Sequence, residues 1–271
     1  MDKSLPDALI VTAAQNIQHL CGLPFFKDTE NVWQFYPPSK KIKLSYSELI
    51  HPGWFDIKPS FIWGFYGKRS FLTAKPVRNQ VFEQLLKIHK LLPEGIGVIT
   101  SSVNGEFLNS GFPPERVEEI YGNFRKLQCA SNCTDEIWDL NPDDIRIDPK
   151  TKMAQEFPCC PACDGPSRPN TLLFDDDRWN PKRADDQRDN LNKWLASLKG
   201  RNVHILELGT DRVDPSIELT TIGLSEKLDA QVFRVYPKDE NNQSKEIEKG
   251  VEEYIALFEE KVNDQKGFVI K

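Results

Sequence analysis

Five of the six cysteines fall within a 35-residue window, as Cys129-x3-Cys133, a gap of 26 residues, then Cys160-x2-Cys163 with Cys159 alongside; Cys21 stands apart. Two close cysteine pairs separated by a long loop supply the four soft ligands a tetrahedral Zn²⁺ takes, and leave no open position for water. The chemistry expected there is structural. Pro161 and Gly165 suit a tight knuckle around the second pair. Cys159 is an alternative third ligand, although the two-residue spacing through Pro161 favours Cys160. Outside this window no Ser-His-Asp set and no GxGxxG phosphate loop is visible.

The elements that must position this site read as an α/β framework. Short β-branched apolar runs recur at Leu9 to Thr12, Gly97 to Thr100, Thr171 to Phe174, Val203 to Leu208 and Val232 to Val235, the pattern of buried parallel strands. Between them lie helical periods: Val81, Leu85 and Ile88; Leu191, Trp194, Leu195 and Leu198; Ile247, Val251, Tyr254 and Phe258. Such alternation predicts an open, doubly wound, Rossmann-like parallel sheet. Two segments break it, an aromatic-rich helical stretch and the cysteine segment. The expected organisation is a Rossmann-like domain over 1–27, 91–124 and 168–271, a helical insertion over 28–90 and a zinc-binding insertion over 125–167.

The 271 residues carry 35 Lys and Arg against 41 Asp and Glu, a formal charge of −6. That balance lacks the basic footprint of nucleic-acid binding. No apolar run approaches the roughly 20 residues of a membrane span, and MDKSLPDALIV lacks the apolar stretch of a secretory signal. The expectation is a cytoplasmic protein with neither nucleic acid nor membrane as partner.

Several local motifs, in order, resemble the sirtuin family of NAD-dependent protein deacylases. Gly22-Leu23-Pro24 with Phe26 and Lys27 resembles Gly-Ile-Pro-x-Phe-Arg, and Thr100-Ser101-Ser102-Val103-Asn104-Gly105 resembles Thr-Gln-Asn-Val-Asp-Gly. Tyr121-Gly122-Asn123, ahead of Cys129, stands where sirtuins have His-Gly-Ser or His-Gly-Asn. Arg168-Pro169-Asn170 after Cys163, and Glu207-Leu208-Gly209-Thr210 before Pro215, complete the series. The first cysteine spacing, with Asp135-Glu136-Ile137-Trp138 after it, is similar to a bacterial branch.

The departures from that pattern fall in the NAD machinery. Where the resemblance implies a Gly-Ala-Gly turn at the NAD phosphates, this chain has Ala14, Gln15 and Asn16. The added side chains crowd a place where only backbone amides should approach; Asn16 has access to the left-handed conformation. Lys27 keeps a charge but loses the bidentate fork of arginine. Ser101, Ser102 and Asn104 replace the Gln, Asn and Asp implied to hold nicotinamide, while Gly209 and Thr210 occupy the late turn near the nucleotide. Tyr121 replaces the implied histidine base. A phenol of pKa near 10 is ionised to about one part in a thousand at pH 7, and losing a general base costs about 10²- to 10⁴-fold.

Changes at three parts of one mechanism predict a sirtuin-like, zinc-binding pseudoenzyme with a weakened site for NAD or ADP-ribose, acting by binding a nucleotide or a protein partner. The alternative is an active deacylase or NAD-consuming ADP-ribosyl transferase in which Tyr121, or an acid of the Asp175-Asp176-Asp177 run, serves as base.

Overall fold

The computed structural model describes residues 5–23, 26, 29–73, 79–209, 215–235 and 243–267, with the side chains of 243–244 and 259–267 left out of the description. In chain order the elements are β1 (Ala8–Ala13), a 3₁₀ segment (Gln15–Cys21), then helices α1 (Thr29–Phe35), α2 (Pro37–Lys41), α3 (Tyr46–Leu49), α4 (Trp54–Ile57), α5 (Pro59–Thr73) and α6 (Gln80–Leu91). There follow β2 (Gly95–Thr100), α7 (Glu106–Asn109), β3 (Val117–Glu119), β4 (Gly122–Cys129), β5 (Trp138–Asp139), β6 (Arg146–Ile147), β7 (Ala154–Glu156) and β8 (Ser167–Thr171). The chain closes with α8 (Lys182–Ser197), β9 (Val203–Leu208), α9 (Ser216–Leu228), β10 (Gln231–Val235) and α10 (Gln243–Gly267).

A five-stranded parallel sheet in the order β10-β9-β1-β2-β3 forms the frame. β1 runs at its centre, Leu9 beside Ile96 on one side and His204 on the other. All six residues of β1, β2 and β9 are buried, as expected of strands covered on both faces. Period-two alternation sorts them: Leu9, Val11, Val98 and Leu206 pack under α6 and α10, while Ala8, Ile10, Ile99 and Ile205 pack under α8 and α9. The architecture is the Rossmann-like doubly wound sheet the periodicity predicts.

Three details differ from that prediction. Thr171 to Phe174 does not form a parallel strand. Its chain ends β8, antiparallel to β4 in a separate sheet of order β5-β4-β8, and Leu172 and Phe174 emerge to solvent. A short apolar run cannot by itself distinguish these two sheets. The parallel edge is instead β3, whose Val117-Glu118-Glu119 is too short and too charged to show an apolar signature.

The helical region also divides. α6, inside the expected 28–90 insertion, lays Val81, Phe82, Leu85 and Ile88 on the parallel sheet, its first turn capped by Asn79 accepting from the Val81 amide at 2.8 Å. Helices α1, α3, α4 and α5 share one aromatic core with the cysteine segment: Phe55, Trp63, Phe65 and Tyr66 meet Leu127, Leu140 and Ile145. Gly64 shows why α5 lies so close, since a Cβ there would sit 2.4 Å from the Lys152 carbonyl oxygen. The two insertions therefore build one smaller lobe, whose antiparallel sheet begins at Gly122.

Candidate functional site

The cysteine cluster is the smaller lobe's chemical feature. The Sγ atoms of Cys129, Cys133, Cys160 and Cys163 all lie within 4.8 Å of one another, with Cys129 to Cys163 at 3.8 Å and Cys133 to Cys160 at 3.6 Å. Zn–S bonds of about 2.3 Å in a tetrahedron require S···S separations of about 3.8 Å, so the four thiols fit zinc. β4 delivers Cys129 at its last residue. The Cys160 to Gly165 knuckle is closed by the Cys160 amide on the Gly165 carbonyl at 2.7 Å and the Asp164 amide on the Cys160 carbonyl at 2.8 Å. Cys159 points elsewhere, its thiol 3.8 Å from the Phe157 carbonyl.

A second feature, a cavity of about 420 Å³, opens where the two lobes meet. The larger lobe contributes Gln15, Gln18, Ser102 and Asn104 to its wall; the smaller lobe contributes Tyr66, Arg69 and Phe124, with Leu172 to Phe174 at one side. Tyr121 lies at the seam, between the end of β3 and the start of β4, and faces the cavity. The turn beside it is enforced by Gly122 at φ +80°, where a Cβ would approach the Asn170 carbonyl oxygen to 2.1 Å. Leu172 donates its amide to the Tyr121 carbonyl at 3.0 Å, fastening the loop after β8 to this corner.

Asn104 is the most heavily engaged side chain of the wall. Its Oδ1 accepts from Arg69 Nη2 at 2.7 Å and from Arg69 Nε at 3.2 Å. Its Nδ2 faces Glu106 Oε1 at 2.9 Å, with Ser102 Oγ and Gln18 Oε1 each at 3.2 Å. An amide offers two protons and two lone pairs. Asn104 therefore has no hydrogen-bonding capacity left for a ligand. Behind it Glu106, 1% exposed, also receives Ser102 Oγ at 2.8 and 2.9 Å. Burial raises the Glu106 carboxyl above its ordinary value, and the hydrogen bonds from its own amide, Ser102 and Asn104 offset that only in part. Burial likewise raises the Tyr66 phenol and the Cys21 thiol.

The remaining expected site residues distribute as follows. Gln15 reaches the cavity, but Ala14 and Asn16, each 3% exposed, pack inward. Asn16 is not left-handed; it sits in the 3₁₀ segment that starts at once after β1. Gly209 backs onto this segment, its would-be Cβ 3.2 Å from the Asn16 Cβ and the Ile17 amide nitrogen. Ser101 is wholly buried and does not line the cavity. Lys27 and Thr210 lie outside the described residues.

The aspartate run is not a catalytic edge of the parallel sheet. Asp176 turns inward to a bidentate ion pair with Arg168, both side chains fully covered, Arg168 Nη1 to Asp176 Oδ1 being 2.8 Å. Asp175 and Asp177 are exposed, and no member of the run lines the cavity. None of the four histidines lines the cavity: His19 lies in the 3₁₀ segment, His51 Nδ1 accepts from the Gly53 amide, His89 Nδ1 from the Ile96 amide, and His204, in β9, meets Tyr254 Oη at 3.1 Å.

Arg69, Glu106 and Gln18 escape a reading by motif. For Arg69 the signal is spacing: three and four residues after Tyr66 and Phe65 on α5, it shares their buried face. Glu106 carries no such signal.

A parallel α/β domain joined to a four-cysteine lobe, with a cavity at the junction, defines a Rossmann-like architecture with a zinc-suited second lobe. No protein-family model matches the chain. In sequence it is similar to an NAD-dependent protein deacylase of Aquifex aeolicus, 25% identical over 166 residues, 61% of either chain. In structure it is similar to a Sir2 homologue mutant in complex with ADP-ribose, with a TM-score of 0.62, 17% identity and coverage of 100% and 99%. A Sir2 homologue in complex with NAD gives a TM-score of 0.63 at 16% identity, covering 93% and 91%. The chain is thus similar in sequence to NAD-dependent protein deacylases and shares the fold of Sir2 homologues. Its sequence match spans about three-fifths of the length of the curated relatives. Among the described residues no helix is long and apolar enough to cross a membrane.

Proposed function

We propose that this chain is a sirtuin-fold protein that binds a nucleotide or a protein segment in the junction cavity and does not carry out standard NAD-dependent deacylation. The observation that carries the reading is the composition of the wall: among the described residues lining it there is no histidine and no carboxylate. A general base must reach the proton it removes, directly or through one water. Tyr121 stands where the resemblance implies the base, and a phenol is a poor proton acceptor at neutral pH.

The occupied amide of Asn104 supports the same reading. A nicotinamide carboxamide would have to displace Arg69 or Glu106 to be held there. Ala14 and Asn16 pack inward, and Gln15 is the residue of the three whose side chain lines the cavity where the resemblance implies a small-residue turn, so phosphate affinity falls rather than vanishes.

Reversion tests the reading. The parent chain is expected to release no nicotinamide from NAD in the presence of an acyl-lysine peptide. Tyr121→His combined with Ala14→Gly and Asn16→Gly is expected to raise release by about 10²-fold or more above the detection floor. Parent turnover that Tyr121→Phe abolishes would overturn the proposal and make Tyr121 the working base.

A further inference from the structure

We propose that Glu106 is the internal counter-charge of the Arg69 guanidinium, acting through the amide of Asn104, and is thereby the residue that positions the polar wall of the cavity. Arg69 is 7% exposed and, among the described residues, forms no ion pair. A permanently charged guanidinium in such a place needs compensation. Its partners are neutral: Asn104 Oδ1 twice, Tyr46 Oη at 3.4 Å, and the ring of Phe124 at 5.2 Å.

The negative charge lies one amide further on. Asn104 Nδ2 donates to Glu106 Oε1 while its Oδ1 accepts from Arg69, so the amide dipole lies between cation and carboxylate in the favourable sense. The groups around Glu106 are donors, namely Ser102 Oγ, Asn104 Nδ2 and its own amide, the set a carboxylate satisfies. The other titratable groups facing it are Glu119 and Cys21. Glu119 is already committed to Arg183 and to Asn123 Nδ2 at 2.9 Å. Glu106 is thus the carboxylate left to balance Arg69. By fixing which end of Asn104 faces which neighbour, it also holds that amide of the cavity wall in internal hydrogen bonds.

A charge-transfer cycle tests the pairing. Glu106→Leu strands Asn104 Nδ2, Ser102 Oγ and the Arg69 charge, whereas Asn104→Asp sets two carboxylates side by side. Each single change is expected to lower the folding equilibrium constant about ten- to a hundredfold. In Asn104→Asp with Glu106→Leu the carboxylate sits directly on Arg69, with Ser102 within reach, and the double variant is expected to recover to within about tenfold of the parent. A loss equal to the product of the two single losses would overturn the proposal.

Glu106→Gln preserves shape and one acceptor should the leucine variant fail to fold. Its expected signature is exchange of the Arg69 Nε–H, followed by ¹⁵N NMR, about tenfold or more faster than in the parent. Unchanged Arg69 exchange in a folded Glu106→Gln protein would contradict the relay. Both readouts are independent of nucleotide binding, so their failure is distinguishable from failure of the function proposed above.

Discussion

Stripping zinc, or replacing Cys160 by serine, is expected to unfold the smaller lobe and leave the parallel sheet standing. The four Sγ atoms converge from the end of β4, the loop after it and the Cys160 knuckle. Beside the Ala130 amide on the Pro166 carbonyl at 3.1 Å, bound zinc would be the main tie between these segments at that end. Apparent binding free energies of about 10–16 kcal/mol for structural zinc match or exceed the roughly 5–15 kcal/mol stability of a whole domain. Helices α1 to α5 should loosen with the cysteine segment, because Phe55, Trp63 and Tyr66 share its core. The check is near-ultraviolet circular dichroism with zinc analysis. The signal of Trp63, 0% exposed and bonded through Nε1 to the Ser167 carbonyl at 2.9 Å, should collapse while much of the far-ultraviolet signal persists. Cys159→Ser should leave zinc content and melting temperature unchanged. Full zinc and an unaltered melting temperature in Cys160→Ser would refute the ligand set.

Asp176→Ala is expected to cost about 3–5 kcal/mol, the penalty for leaving one charge of a buried pair alone. Arg168 reaches from β8 to Asp176 with Nη1 and to the Thr171 carbonyl with Nη2 at 2.9 Å, and lies 6.0 Å from the Phe55 ring centre. Asp176 in turn accepts the amides of Leu173 at 3.2 Å and Arg178 at 3.1 Å. The pair therefore shapes the loop whose Leu172 to Phe174 face the cavity. Arg168→Met with Asp176→Leu should recover most of the loss, since matched apolar groups remove both desolvation penalties. Burial alone would raise the Asp176 carboxyl, but the Arg168 hydrogen bonds and charge outweigh it and hold it below the usual carboxylate range. A lowered folded pKa gives stability that is complete above the unfolded value, about 3.9, and is lost as pH falls through the folded one. Denaturant unfolding should show parent and Asp176→Ala converging below about pH 4. A constant gap down to the most acid pH would contradict the ion-pair account.

The sequence makes the framework legible because buried parallel strands need long β-branched runs. β1, β2, β9 and β10 carry them, and so do the helical faces of α6, α8 and α10. The cysteine pairs are legible for an equally physical reason, since metal geometry restricts ligand spacing. Thr171 to Phe174 misleads because an apolar run near a sheet edge carries no record of which sheet it joins. The aspartate run misleads similarly: one acid of three turns inward, and only Arg168, brought near by β8, decides which. The cavity's polar wall is the least legible part. Asn104 is visible as a departure from a motif, but its partners Arg69 and Gln18 are 35 and 86 residues away and meet it only through the lobe junction.

Calorimetric titration of the zinc-loaded chain with ADP-ribose and NAD, with nicotinamide followed in the same cell, tests the central claim most directly. The prediction is a binding isotherm for ADP-ribose or NAD with no nicotinamide released on adding an acyl-lysine peptide, or no isotherm at millimolar ligand if the cavity serves a protein segment. Catalytic release of nicotinamide by the unaltered chain would contradict it.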